Sequence, residues 1–203
     1  MGINNKLKFE CIHCGKCCTD INTLVNTTYI DVLRIKNGLN LTIDEVIEIL
    51  GFYVFDQAPS EKEIDRMVVP PIQTERGMAF TGLKKRPNGY CFFYEATKER
   101  CSIYAFRPGF CRTFPFTFTI QKGKDKKTDE INIFYTDKGI QYCRGIGEDY
   151  PNINLEQWIK LGREVIQDLS KNNQLIKKWN SSVKNKQIIP SARNFILTIF
   201  NLE

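Results

Sequence analysis

Four of the eight cysteines of this chain fall within eight consecutive residues near its start. They are Cys11, Cys14, Cys17 and Cys18, in the run Cys-Ile-His-Cys-Gly-Lys-Cys-Cys. A spacing of three brings successive sulfur atoms to the same side of a tight turn, where one metal centre can bind them. In a compartment where thiols stay reduced, closely spaced cysteines are typical of a site in which a metal binds their sulfur atoms. The run therefore predicts a metal site, and that site constrains the fold more than any other feature.

The remaining cysteines are Cys91, Cys101, Cys111 and Cys143, far along the chain. Eight is an even number, so four disulfides are the alternative to metal binding. Residues 1–10 carry no apolar stretch of signal-peptide length, and no segment has the uninterrupted apolar run of a membrane span. We therefore expect a cytoplasmic protein without membrane contact, in which reducing conditions disfavour disulfides.

Composition limits the classes of partner only weakly. The 203 residues suffice for one substantial domain, and 42% hydrophobic with 26% charged residues is ordinary for a soluble globular protein. The formal charge of +6 permits nucleic acid as a partner, but we do not expect one, because the positive charges are scattered and mostly in loops. The partner that we expect is a metal ion or cluster, with a protein partner or substrate as a further option.

Helix signals follow the cysteine run. Thr28 caps a first helix, which Gly38 ends. Thr42 opens a second helix over Ile43 to Leu50, and Gly51 ends it. These signals together predict an N-terminal helical hairpin.

The middle of the chain is strand-like. Residues 78–83 and 90–94 flank a turn rich in proline, asparagine and glycine, which predicts that they pair. From residue 114 apolar and polar residues alternate to 121, and they alternate again over 131–135. This predicts a second hairpin, with the charged segment 122–130 as its loop. The hairpin would return the segment leading to Cys143 towards the one that carries Cys111.

The last quarter of the chain is helical. Asn154 and Gln157 offer a cap, and a further helix starts near Ser191. An apolar stripe at helical spacing marks the side that faces the core. Its residues are Leu155, Trp158, Ile159, Val165, Ile166 and Leu169, followed in the last helix by Phe195, Ile196, Ile199 and Phe200.

These elements predict an α+β fold. A small cysteine-rich metal-binding core with β-hairpins is accompanied by the N-terminal helical hairpin and by C-terminal helices. We expect residues 1–150 to form the metal-binding domain and residues 151–203 to form a C-terminal helical extension packed on the same domain.

The first three cysteines follow a Cys-x2-Cys-x2-Cys pattern. Bacterial ferredoxins use this spacing to place three thiolates on one iron–sulfur cluster, such as a 4Fe–4S cluster, with the fourth ligand from elsewhere. Gly15 suits a loop around a metal, since such loops often need a positive φ. Zinc accepts the same tetrahedral thiolate geometry, so the spacing alone leaves iron–sulfur and zinc open.

Cys18 is the odd member of the run. In extended backbone adjacent side chains point to opposite sides, so Cys17 and Cys18 are expected to face different centres. Eight cysteines suffice for two four-thiolate sites, or for one site with spare thiols, and the sequence leaves both open. His13, the only histidine, is a ligand or proton-shuttle candidate that ranks below the cysteines.

Two arginines, Arg107 and Arg112, flank Cys111. A thiolate-rich site carries surplus negative charge, which a nearby guanidinium offsets. Both are therefore candidates for supporting a cofactor. The alternative is that they pair with ordinary carboxylates.

The order and spacing of these motifs resemble the YkgJ-type cysteine-cluster family, the zinc- or iron-chelating CxxCxxCC domain, over roughly residues 9 to 147. All eight cysteines fall on motif positions, and the resemblance implies that they chelate the metal. The flagellin lysine N-methylases are a distant relative class with a similar cysteine domain, associated with an iron–sulfur cluster. The motifs that carry the resemblance are Phe9-x-Cys11-x2-Cys14-Gly15-x-Cys17-Cys18, Cys91-x-Phe93, Cys101-Ser102-Ile103-Tyr104-x2-Arg107-Pro108-x2-Cys111-Arg112-x2-Pro115-Phe116 and Cys143-x-Gly145-Ile146-Gly147.

Three functions follow as hypotheses. The first is a metal-binding protein in which the thiolates chelate an iron–sulfur cluster, which is favoured, or zinc, for a redox, metal-handling or structural role. The second is a cluster-dependent protein-modifying enzyme resembling flagellin lysine N-methylase, although the sequence has no recognisable S-adenosylmethionine loop. The third is a zinc-stapled interaction module. The sequence does not decide whether the protein is an enzyme, and it identifies no catalytic residue.

Overall fold

The structure is a computed structural model that describes residues 7–122 and 129–202. Small antiparallel sheets lie between helices at the two ends of the described chain, which confirms the predicted α+β class. The helices are α1 (Lys16–Thr19), α2 (Tyr29–Leu39), α3 (Ile43–Ile49), α4 (Glu61–Ile64), α5 (Gly109–Thr113), α6 (Asp137–Tyr142), α7 (Leu155–Lys184) and α8 (Ala192–Phe200). The strands are β1 (Leu50–Val54), β2 (Ile72–Thr74), β3 (Gly77–Leu83), β4 (Tyr94–Glu95), β5 (Arg100–Cys101), β6 (Phe116–Lys122) and β7 (Asp129–Tyr135).

The predicted helical hairpin is present as α2 and α3. The side chains of Thr28 and Thr42 each accept a hydrogen bond from the backbone N–H three residues later, as capping residues do. The predicted ends are wrong. Helix α2 continues through Gly38 to a left-handed Asn40 with a φ of 53°, a conformation that asparagine tolerates. Gly51 lies inside β1, because α3 ends at Ile49, one residue earlier than predicted, and the chain then pairs with β3.

Strand β3 matches the predicted segment 78–83, but it does not pair with residues 90–94 as expected. Strands β1 and β2 occupy its two edges, in a sheet of order β1-β3-β2. Residues 90–94 make one bridge instead, between Lys85 and Cys91, before β4 pairs with β5. A strand has only two edges, so β3 cannot also pair with the segment that carries Cys91.

The second predicted hairpin is confirmed. Strands β6 and β7 pair antiparallel, with Phe116 opposite Tyr135. The strand begins at Phe116 rather than at Phe114, which still caps the C-terminal end of α5. Residues 123–128 of the predicted loop lie outside the described residues. Helix α6 follows β7 and ends at Tyr142, with Cys143 as its C-cap, so the hairpin sets the position of that cysteine.

The two C-terminal helices carry much of the apolar core. Both begin where predicted: Asn154 caps α7 and Ser191 caps α8. Within the described residues, no helix has both the length and the apolar character needed to cross a membrane. The indole N–H of Trp179 donates to the backbone oxygen of Gln73 at 2.9 Å. The core joins these helices to α2 and α3 through Val32, Ile35, Val46, Ile49, Ile176, Trp179, Phe195, Ile196 and Ile199.

A smaller apolar cluster lies where α7 begins. Leu7, Phe116 and Ile133 are buried there, and the start of the predicted stripe of α7 packs against them through Trp158 and its neighbours. The ring of Phe9 contacts those of Phe116 and Trp158 edge to face. The cluster thus joins the segment before the first cysteine to the β6–β7 hairpin and to α7. The division of the chain at residue 150 stays a prediction.

Candidate metal centre

One cavity of about 690 Å³ receives side chains from every cysteine-bearing segment of the chain. All eight cysteines are free thiols. The return of the Cys143 segment towards the Cys111 segment, which the hairpin predicts, is thereby confirmed. The thiols that line the cavity are those of Cys11, Cys14, Cys17, Cys18, Cys91, Cys101, Cys111 and Cys143.

Helix α1 arranges the end of the cysteine run. Gly15 precedes it with a φ of 67°, which confirms the predicted positive φ. A Cβ at this position would come within 2.6 Å of the ring of Tyr94, so glycine is also required by space. The expectation that Cys17 and Cys18 point to opposite sides is wrong, because their backbone is helical rather than extended. Their sulfur atoms are 3.9 Å apart.

Cys91 and Cys101 reach this helix from the central strands. The backbone N–H of Cys91 donates to the backbone oxygen of Cys18 at 2.8 Å, which holds the two chain segments side by side. Cys101 lies in β5, opposite Tyr94 of β4. Its thiol is within hydrogen-bonding reach of the Cys18 thiol. A short hairpin and one backbone hydrogen bond thus bring two distant cysteines to the N-terminal run.

Cys111 lies in α5, and a buried carboxylate in α2 anchors the start of that helix. The backbone N–H of Gly109 donates to Asp31 at 2.9 Å. Asp31, only 1% exposed, also accepts hydrogen bonds from Thr28 and forms an ion pair with Arg34 at 2.6 Å. Asp31 was not among the residues that the sequence pointed to as functional. The available signal was the capping pattern Thr-x-x-Asp, which marks a helix start but not a contact 78 residues away.

Cys143 is brought to the N-terminal run by a backbone pairing. The N–H of Glu10 donates to the backbone oxygen of Gly145 at 3.0 Å, and Phe9 forms a β-bridge with Ile146. A Cβ on Gly145 would lie 2.1 Å from the Glu10 backbone oxygen, so only glycine allows this approach. The pairing holds Cys143 near Cys11 and its neighbours.

A polar cluster at the cavity wall links α6 to the residues after α1, and no pattern in the sequence indicates it. The ammonium of Lys138 lies 3.1 Å from a carboxylate oxygen of Asp20 and 2.6 Å from the hydroxyl of Thr23. The Thr23 hydroxyl donates to the same carboxylate, and this hydrogen bond is the main cause that lowers the pKa of Asp20 to about 2. No local sequence pattern joins residues more than a hundred positions apart.

The neighbouring thiols of Cys17, Cys18 and Cys101 shift one another's pKa values in opposite directions. The single S–H group of Cys18 lies between Cys17 and Cys101, and hydrogen bonding to it is the main cause that lowers the pKa of each of these two thiols to about 7. The pKa of Cys18 is raised, because hydrogen bonding stabilises its protonated form. The contact with Cys101 contributes most to this shift, and the contact with Cys17 contributes next. Metals bind the thiolate form. Two of these sulfur atoms are therefore close to their ligand state at neutral pH.

The more enclosed thiols behave differently. Burial raises the pKa of Cys91 and raises that of Cys111 well above its usual value. Burial also raises the pKa of Cys143, and the nearby thiols of Cys14, Cys17 and Cys11 raise it further. A bound cation would reverse this effect, since a thiol that coordinates a metal loses its proton to solvent and binds as the thiolate.

The two candidate arginines have different surroundings. The guanidinium of Arg107 lies 3.5 Å from the ring centroid of Tyr104, lines the cavity and lowers the pKa of Cys17 and Cys101. Arg112 forms an ion pair at 3.3 Å with Glu164 of α7. This is the alternative in which the arginine pairs with an ordinary carboxylate instead of supporting a cofactor. A cofactor-supporting role thus has geometric support for Arg107 alone and stays a prediction for both residues.

His13 lies at the cavity wall with a φ of 56°. Its ring is 4.5 Å from that of Tyr104, centroid to centroid. The imidazole therefore packs on an aromatic ring, and its role as ligand or proton shuttle stays a prediction.

The donor set fits a thiolate-bound metal in number and in chemistry. Ligands of one tetrahedral zinc centre lie about 3.8 Å apart, because each zinc–sulfur bond is about 2.3 Å long, and the 3.9 Å between Cys17 and Cys18 matches this. Within residues 7–122 and 129–202, however, no three cysteine, histidine, aspartate or glutamate side chains already form a ligand group. The thiols share a cavity, and closing a full ligand shell requires their side chains to turn inward.

An α+β protein whose distant cysteines meet in one thiol-lined cavity is the class that the fold and the site define. The chain belongs to the CxxCxxCC family, whose description reads "Putative zinc- or iron-chelating domain" and whose model matches residues 10–143. The match starts one residue before Cys11 and ends at Cys143, so it spans all eight cysteines.

The chain is also similar to the uncharacterized protein MJ0661 of Methanocaldococcus jannaschii. The two are 26% identical over 143 residues, which is 70% of this chain and 60% of the relative. The chain thus spans about 60% of the length of that relative. No solved structure matches the chain.

Proposed function

We propose that this protein binds metal through its clustered thiolates and that the bound group is an iron–sulfur cluster, with zinc as the alternative. The observation that carries the proposal is the single cavity lined by all eight thiols, which come from segments more than a hundred residues apart. Thiolates are soft ligands that select zinc and iron–sulfur clusters over magnesium or calcium. The family description supports the same pair of metals.

Two features favour the iron–sulfur cluster. Cys11, Cys14 and Cys17 have the spacing by which ferredoxins bind a cluster, and Cys143 lies near them as a fourth ligand from elsewhere in the chain. The fixed charge of Arg107 offsets part of the negative charge that a thiolate-bound cluster carries. Such a cluster supplies electron transfer, whereas zinc supplies structural support without redox chemistry.

The test is the metal content of the protein. The chain is purified without oxygen, and iron, zinc, acid-labile sulfide and visible absorbance are measured. A brown sample containing iron and sulfide is expected. A colourless sample with stoichiometric zinc excludes the cluster but keeps the metal-binding function.

Single substitutions then test the ligands. Replacing Cys11, Cys14 or Cys17 by Ser should lower the metal content in each case. The matched control is Ser102→Ala, beside Cys101, because the Ser102 hydroxyl bonds the Phe93 backbone oxygen and lies outside the cavity. Unchanged metal content in all three cysteine variants contradicts the assignment.

A second candidate function, a cluster-dependent protein-modifying enzyme, is favoured by the size of the cavity. Its volume of about 690 Å³ lies in the range of about 300–1,000 Å³ that is typical of small-molecule sites. Part of its wall is aromatic and comes from Phe114, Phe116 and Phe118. Calorimetry of the metal-loaded protein with S-adenosylmethionine tests the methylase form of this hypothesis, and absence of binding counts against it.

A further inference from the structure

We infer that Asp20 is a positioning residue of the metal site, which holds three cysteine-bearing segments together without binding the metal itself. This inference rests on the proposed function and deepens it. The three segments are helix α1, which carries Cys17 and Cys18, the end of helix α6, which precedes Cys143, and the segment that forms a β-bridge with Cys91.

Asp20 is tied to the end of helix α1. It is the C-cap residue of that helix, and its backbone N–H donates to the backbone oxygen of Lys16 at 3.2 Å. Its carboxylate accepts hydrogen bonds from the N–H of Asn22, at 3.1 Å on Oδ1, and from the hydroxyl of Thr23 on Oδ2. A helix of four residues is too short to be stable on its own. The orientation of its two cysteines therefore depends on contacts at its end.

Two side chains of helix α6 reach the same carboxylate. Nζ of Lys138 lies 3.1 Å from Oδ2 of Asp20, and the hydroxyl of Tyr142 donates to that oxygen at 3.4 Å. Tyr142 is the last residue of α6, and Cys143 is its C-cap. The two contacts therefore hold the helix that ends at Cys143 against the end of α1.

The ammonium of Lys138 is fully used by these contacts. Besides Asp20 it donates to the hydroxyl of Thr23 at 2.6 Å and to the backbone oxygen of Asn22 at 3.3 Å. An ammonium has three hydrogens, and three acceptors are present. Lys138 thus serves to join two chain segments and keeps no donor for an anion in the cavity.

The backbone oxygen of Asp20 connects the third segment. Nζ of Lys85 donates to it at 2.5 Å. Lys85 forms the β-bridge with Cys91, whose N–H in turn donates to the backbone oxygen of Cys18 at 2.8 Å. The segment of Cys91 is therefore fixed to α1 at two points. Because the contact with Lys85 uses the backbone of Asp20, a change of its side chain tests the connection to α6 alone.

Asp20 acts from behind the wall of the cavity. Thr23, Lys138 and Tyr142 are among the residues that line the cavity, whereas Asp20 is not. Metal binding must bring the ligand-bearing segments together, and a residue that already holds them lowers the cost of ordering them. Loss of a group that orients ligands typically weakens metal binding about 10–100-fold.

The experiment compares the metal affinities of variants of the full chain. The reduced protein is loaded anaerobically with Zn²⁺ and titrated with the chromophoric chelator 4-(2-pyridylazo)resorcinol. Asp20→Asn and Lys138→Met should each weaken Zn²⁺ binding about 10–100-fold without changing the number of bound equivalents. The matched control is Lys84→Met, which should bind as the unsubstituted protein does. It breaks an ion pair with Glu48 at 3.3 Å, and the Lys84 and Lys138 side chains are 42% and 46% exposed.

Two further measurements separate positioning from a general loss of stability. Hydrogen exchange of the metal-free chain should become faster in residues 16–23 and 137–143 and should not change in α7 and α8. The double variant should lose no more affinity than the weaker-binding single variant, because both substitutions break the same contact. Lys138→Arg, which keeps the positive charge, should bind Zn²⁺ more tightly than Lys138→Met.

The other outcomes separate the inference from the function beneath it. Affinities equal to that of Lys84→Met overturn the role of Asp20 and leave metal binding intact. Hydrogen exchange that is unchanged in residues 16–23 and 137–143, or that rises equally in α7 and α8, also overturns it. No bound metal in the unsubstituted protein overturns the proposed function itself, and the inference with it.

Discussion

The helical core around Trp179 and the thiol-lined cavity are held together in different ways. In the core, long helices bury large apolar side chains, and Trp179 and Ile196 are 2% and 0% exposed. Around the cavity the elements are short, α1 having four residues and β5 two, and they meet through single backbone hydrogen bonds. The helices are therefore held mainly by apolar packing, against which Cys91 also lies, whereas the cavity depends on a few close approaches and on what its thiols bind.

The largest expected effect comes from the core. Trp179→Ala removes a buried aromatic side chain and its hydrogen bond to Gln73, which should lower the free energy of unfolding by about 3–5 kcal/mol. Metal bound per folded molecule should not change. Urea unfolding and metal analysis of the folded fraction measure the two quantities. Loss of metal from correctly folded protein would show that the two regions are not independent.

The hydrogen bond between Asp31 of α2 and the start of the helix of Cys111 should have the next largest effect. Asp31→Asn places an amide among the N–H groups of Thr28 and Gly109 and removes the charge that pairs with Arg34, at a cost of about 3 kcal/mol. Because Gly109 begins the helix of Cys111, both stability and metal content should fall. Chemical unfolding and metal analysis test this, with the exposed Asp44→Asn as control. A loss of stability without loss of metal would limit Asp31 to the core.

Gly145→Ala should damage the cavity more than the core. The new methyl group would lie 2.1 Å from the Glu10 backbone oxygen, so the pairing must open at a cost of about 1–3 kcal/mol. Cys11 and Cys143 then separate and metal content falls, while helical circular dichroism is retained. Gly147→Ala is the matched control, since its methyl group would meet Tyr150 at an ordinary 3.5 Å. Equal metal content in the two variants would refute the role of this close approach.

Substitution of Arg107 or Arg112 should have the smallest effect on stability. The two substitutions should differ in their effect on metal affinity. Arg112→Gln breaks a partly exposed ion pair with Glu164, so stability should change by about 0–1 kcal/mol and metal affinity should stay the same. Arg107→Gln removes the positive charge beside Cys17 and Cys101 and should weaken metal binding. Competition titrations with a zinc chelator compare the variants. Equal affinities would mean that neither guanidinium supports the site.

Local signals predicted local structure well. The caps at Thr28, Thr42 and Asn154 and the alternation in β6 and β7 depend on neighbours within a few residues, and the structure has all of them. The ends of α2 and α3 and the partner of β3 were wrong, because a competing strand or a left-handed asparagine decided them.

The candidate site divides in the same way. The sequence supplied all eight thiols and the need for glycine at position 15. It did not supply Asp31, Lys138 or the glycine contact at position 145, since each acts on a residue more than 70 positions away. It also placed Cys17 and Cys18 on opposite sides, because it assigned extended backbone to residues that form a helical turn.

The sequence by itself determined the chemistry of this protein: the number, type and spacing of its thiols, together with the family to which it belongs. Only the tertiary structure decided that eight cysteines from segments more than a hundred residues apart line one cavity, and which of them are buried. The physical reason is that ligand identity is a property of single residues. The meeting of the thiols in one cavity depends on which strands pair, on close contacts between backbone segments and on buried carboxylates. These contacts exist only once the chain has folded.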